Sequence, residues 1–101
     1  MCAALSEKDE TKFKHRVLRD LKWFKNAYYI KTQERGRRGV PDIIGCINTK
    51  FFALELKTET GRLDDLQMYT LQKIRLAGGF AMSTQPSQWP EHFDMMKGYF
   101  K

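Results

Sequence analysis

The sequence predicts an α/β domain, of the α+β kind with one mixed sheet, in the order α-β-β-β-α-β plus a short C-terminal helix. Three observations predict it. Phe13, Val17, Leu21 and Phe24 recur at three- and four-residue spacing, the period of one helix face. Two strand-like runs, Pro41–Ile47 and Phe51–Thr58, flank a tight turn at Asn48-Thr49. Leu63–Ala77 carries a helix start signal before its apolar residues and a glycine pair after them.

The first helix is expected over residues 7–25, with Lys8, Lys12, Lys14, Arg16, Arg19, Lys22 and Lys25 on its other faces. Ala27–Thr32 reads as a short strand, and Gln33–Gly39 as a flexible basic loop. Pro41 suits the first position of a strand, where its missing N–H costs least. In the second helix Asp64 fits the N-cap, Gln67 completes a capping box, and Leu63 is placed to staple onto Met68. Gly78-Gly79 ends that helix. Phe80–Ser83 reads as the last strand, Ser83–Pro90 as a linker and Glu91–Tyr99 as the terminal helix.

With 101 residues, 42% of them hydrophobic, the chain reads as one globular domain spanning residues 1–101. A net charge of +6 and a pI of about 9.5 point to a polyanionic partner. No apolar run approaches the roughly 20 residues that span a bilayer, so a membrane partner is not expected. The N-terminus turns acidic at Glu7 before any signal-peptide core develops, and a cytoplasmic location, in a bacterial or phage-infected cell, is expected. Cys2 and Cys46 are expected to be reduced, with Cys46 acting as a small hydrophobe in its apolar segment. Together with His15 and His92 they match no zinc spacing.

The chemistry lies in the hairpin. If Ile47 pairs with Lys50, the same antiparallel register sets Asp42 opposite Glu55, and opposed residues share one face at Cβ separations of roughly 4.5–5.5 Å. Strand alternation adds Lys57 to that face. Two carboxylates so close repel, and a hard divalent cation relieves the repulsion while retaining waters. A lysine beside it can orient or help deprotonate water and stabilise charge developing on a phosphate. Glu10, three residues before Phe13, is placed on the core-facing stripe of the first helix as a third acid. Plainer readings stand beside these. The acids and lysine also fit a solvated salt-bridged face, Glu10 the positive end of a helix dipole, Gln67 a pure capping role, and the N-terminal lysines a solvated helix face.

Gly39-Val40-Pro41-Asp42, then Phe52-Ala53-Leu54-Glu55-Leu56-Lys57, then Leu63 through Gln67 to Gly78-Gly79, resembles the VRR-NUC family of the PD-(D/E)xK nucleases, the small stand-alone phage and bacterial type above all. The resemblance covers roughly residues 7 to 90. It implies a restriction-endonuclease-like core and a Mg²⁺- or Mn²⁺-dependent phosphodiesterase acting on DNA. By the same resemblance Asp42, Glu55 and the Leu56 carbonyl are metal ligands, Lys57 and Gln67 are catalytic, and Glu10 is the first-helix acid, with Glu7 the less favoured choice. It further implies a homodimer that cuts branched DNA such as Holliday junctions, in replication, recombination or repair, with no small-molecule cofactor.

Lys31, Arg35, Arg37, Arg38 and Arg62 are the candidate DNA contacts, since the first four precede Asp42 closely and Arg62 sits at the mouth of the second helix. Such contacts position a backbone without reading sequence. Phe93, Met95, Met96, Tyr99 and Phe100 form an apolar-rich tail that either closes the core or covers an interface. Two other functions share the motif: a catalytically silent DNA-binding module, which would be free to lose Asp42, Glu55 and Lys57, and a sequence-specific restriction-like enzyme, for which 101 residues leave little base-reading surface.

Overall fold

The computed structural model describes residues 2–32 and 39–101, and side chains from residue 10 onward within them. Helix α1 spans Cys2–Leu21, followed by strands β1 (Ala27–Lys31), β2 (Ile43–Ile47) and β3 (Lys50–Leu56). Helix α2 (Asp65–Leu76), strand β4 (Phe80–Thr84) and helix α3 (Trp89–Tyr99) complete the chain. The strands lie in the order β1-β2-β3-β4. The first three are antiparallel neighbours and β4 runs parallel to β3, so the sheet is mixed.

The β2–β3 turn fixes the register. Asn48 and Thr49 both take positive φ (49° and 72°), as a two-residue turn matching the sheet twist requires. Ile47 therefore faces Lys50, and the pairing runs to Ile43 opposite Leu54. β2 starts two residues later than expected because Pro41 and Asp42 leave the ladder. Asp42 stays anchored through its carbonyl, which accepts the Thr32 N–H at 2.9 Å. Inside β2, Gly45 is required by close approach, since a Cβ there would lie 2.1 Å from the Tyr28 carbonyl oxygen.

The two sheet faces are covered unequally. On one, α1 and α3 bury Phe13, Val17, Leu21, Phe24, Trp89, Met96 and Phe100 against Ile43, Ile47, Phe52 and Leu54. The terminal residues Met96 and Phe100 thus close this core, while Met95 and Tyr99 remain exposed. On the other face α2 covers only a small cluster, Leu71 over Ala53 and Ala81, joined by Ile44, Leu63 and Ile74. Cys46 is exposed, contrary to the small-hydrophobe expectation. It shares the α2 side of the sheet with Ile44 by alternation.

Helix boundaries shift for local reasons. Residues 2–6 are helical too, and α1 ends at Leu21 rather than residue 25, where the N–H groups of Lys22, Trp23 and Phe24 turn to carbonyls three residues back. Phe24 keeps its place in the core from that turn. α2 has the anticipated capping box, with Asp64 as N-cap. Leu63 packs toward Leu71, whereas Met68, its expected staple partner, is 48% exposed. At its other end Gly78 (φ 99°) donates to the Arg75 carbonyl and Gly79 to that of Ile74, a Schellman ending. α3 begins at Trp89 because Pro90 falls in the first turn, where no N–H is needed.

Candidate active site

The predicted residues gather where β2 begins and β3 ends. The β2–β3 pairing ends with Ile43 opposite Leu54, so Asp42 precedes the ladder on one strand and Glu55 follows the last paired residue on the other. An Asp42 carboxylate oxygen accepts the Leu56 N–H at 2.8 Å, so a side chain replaces the strand as partner and holds the acid against β3. Glu55 is 4% exposed, an unusual degree of burial for a carboxylate. Its Oε2 accepts from Gln67 Nε2 at 3.1 Å and lies 3.9 Å from Lys57 Nζ. Lys57 remains on the sheet after β3 ends, because its N–H donates to the Thr84 carbonyl of the neighbouring strand at 3.0 Å.

Gln67 serves two roles that the sequence presented as alternatives. Its backbone N–H donates to Asp64 (2.7 Å) and its side-chain oxygen accepts from the Asp64 N–H (3.0 Å), while its amide nitrogen holds Glu55. The cap therefore locks the rotamer that reaches the acid. Gly39 has a related function. Its φ of 81° and the 2.7 Å gap that a Cβ would leave to Leu66 Cγ allow the segment before Asp42 to pass close to α2. That accounts physically for a glycine ahead of Pro41-Asp42.

A cleft of about 240 Å³ opens here, lined by Glu10, Thr11, Phe13, Lys14, Asp42, Leu56 and Lys57. Glu10 faces this cleft from α1, but it is exposed rather than part of the core-facing stripe. Among the described residues, no group of three or more His, Cys, Asp and Glu side chains forms a ready metal site. Glu10 is thus a cleft-lining acid and not a member of a tight three-acid cluster with Asp42 and Glu55. The side chain of Glu7 lies outside the described residues.

Oxygen donors at the end of β3 and just before β2, with a lysine and an amide beside Glu55, suit a hard cation that keeps part of its water shell. Asp42, Glu55 and the carbonyl of Leu56 are the residues that would hold it. Of the candidate DNA contacts, Lys31 is exposed at the end of β1, paired with Ile43 and so next to Asp42. Arg62 is exposed and borders a depression with Glu59, Thr60, Gly61 and Gln85. Arg35, Arg37 and Arg38 lie outside the described residues. Lys14, counted in the sequence only as a helix-face charge, lines the cleft; its signal was its spacing of four from Glu10. No helix among the described residues is long and apolar enough to cross a membrane.

Comparison with known protein families, with characterised proteins and with solved structures finds no match to this chain.

Proposed function

We propose that this protein is a Mg²⁺- or Mn²⁺-dependent DNA endonuclease with a restriction-endonuclease-like core of the VRR-NUC type. One observation carries the reading: the end of β3 brings Asp42, bonded to the Leu56 N–H, together with a buried Glu55 whose Oε2 lies 3.9 Å from the Lys57 ammonium and accepts from Gln67, while Asp42 and Lys57 line a cleft. The helix, three antiparallel strands, helix and parallel strand support the fold assignment.

A divalent metal held by Asp42, Glu55 and the Leu56 carbonyl would supply Lewis-acid charge and acidify water. The chain supplies the rest. Lys57 orients the attacking water and offsets negative charge gathering on the phosphate. Gln67 holds Glu55 in one orientation, and the Leu56 N–H does the same for Asp42. Lys14 and Lys31 add positive charge around the cleft for the DNA backbone.

The protein works on branched or duplex DNA in the cytoplasm, as a homodimer. The support for a dimer is the part of the sheet left uncovered by α2, where Tyr28 (74% exposed), Ile30 and Phe51 present apolar surface. The substrate preference rests on the family resemblance.

The test is incubation with Mg²⁺ or Mn²⁺ and a panel of duplex, single-stranded, flap and four-way-junction DNAs. Cleavage is expected, lowered by about 10²–10⁴-fold in Lys57→Ala, the range for losing a positioned catalytic group. Intact DNA throughout, or equal cleavage by the variant, rejects the assignment. A silent DNA-binding module, the alternative favoured by the lack of a three-acid group among the described residues, would bind without cutting.

A further inference from the structure

A second pocket of about 410 Å³ adjoins the cleft, and Phe13 lines both. Its walls come from α1 (Lys12, Arg16), the segment after β3 (Thr58, Glu59, Thr60) and Pro86. These walls are tied before any ligand arrives. Gln85 Nε2 lies 3.1–3.2 Å from the carbonyl oxygens of Thr58, Glu59 and Gly61, clamping the loop from behind. Glu59 accepts from both the N–H and the hydroxyl of Ser87. Arg16 donates to the Pro86 carbonyl at 3.4 Å, linking α1 to the opposite wall.

The lining differs in kind from that of the cleft. Phe13 and Pro86 give apolar faces, Lys12 and Arg16 give positive charge, and Glu59, the one acid among the described lining residues, is already engaged by Ser87. An apolar slot beside two cations suits a flat heteroaromatic ring attached to a phosphate. A duplex is too wide to enter. A base can enter only unpaired, and the unstacking cost is least where the DNA is already branched, mismatched or single-stranded.

We propose that this pocket receives an unpaired nucleobase next to the phosphate held in the cleft, with Lys12 and Arg16 on the adjoining backbone. It rests on the nuclease reading and names the feature of the substrate that the site selects: an unpaired nucleotide beside the cut.

The experiment uses the full chain and duplex probes with one 4-thiothymine, unpaired in one set and paired in the other, at successive positions near a strand break. Cross-links are mapped by mass spectrometry. The unpaired probe is expected to label residues 58–60 or Pro86, and the paired probe to leave them unlabelled. Thr60→Trp, a substitution at an exposed rim residue, should weaken binding of the unpaired probe about tenfold, the lower part of the range for one stacked base. Binding of the paired duplex should be unchanged. Equal labelling by both probes, labelling only elsewhere, an unaffected Thr60→Trp, or no DNA binding overturns the pocket assignment. Cleavage with no labelling in the pocket rejects the subsite and leaves the nuclease standing. Labelling without cleavage does the reverse.

Discussion

Tyr28 and Tyr29 are neighbours on β1, yet they belong to different parts of the molecule. Tyr29 turns toward the face covered by α1 and α3, where its ring meets Phe52 edge-on at 6.4 Å. Tyr28 turns to the other face and is exposed. The contrast extends to the whole sheet. One face carries a continuous aromatic and aliphatic core, while the other carries three buried small or branched residues and the polar group around Glu55. Most of the apolar packing lies on one face, and the buried carboxylate of Glu55 is accommodated on the other, where less apolar packing depends on it.

Substitutions can break or sharpen this division. The largest stability loss is expected for Trp89→Ala, about 3–5 kcal/mol, because it empties the main core and removes the indole N–H bond to Asp20 at 2.8 Å. Chemical denaturation checks it. Leu71→Ala, on the α2 face, should cost about 2–3 kcal/mol, the low end for such a truncation, since its cluster is small. A cost equal to that of Trp89→Ala would erase the distinction between faces. Asp64→Ala should cost about 1 kcal/mol through the lost cap, and should also lower activity because Gln67 then loses its lock on Glu55. Stability loss with unchanged activity would confine Asp64 to capping.

The smallest effect is a pH dependence. Burial pushes the Tyr29 phenol above its ordinary value of 10.0. The folded state therefore keeps this proton where the unfolded chain has released it. The contribution is complete below pH 10 and fades as pH rises through the raised value. Tyr29→Phe should flatten that alkaline decline in melting temperature, and an unchanged decline would assign it to other groups.

The hairpin was legible because its turn has two residues, which leaves one register, from Ile47 opposite Lys50 to Ile43 opposite Leu54. The second helix was legible because Asp64, Gln67 and the glycine pair are local signals. Other features were not. Periodicity places Glu10 in line with Phe13, but it does not say that this end of α1 borders an open cleft instead of the core. Alternation assigns Cys46 to a face, but not whether a helix covers it there. The second pocket joins Arg16 to Pro86 across 70 residues, a contact that no short-range pattern encodes.

The central claim is that Asp42, Glu55 and Lys57 act together with a divalent cation. The most direct measurement is Mg²⁺ and Mn²⁺ titration of DNA cleavage by the wild type, Glu55→Gln and Lys57→Ala, with thermal melting of each in parallel. Metal-dependent cleavage at the full rate is predicted for the wild type alone, with metal-induced stabilisation retained in Lys57→Ala and lost in Glu55→Gln. Cleavage that persists in chelator, or in Glu55→Gln at the wild-type rate, would contradict the account.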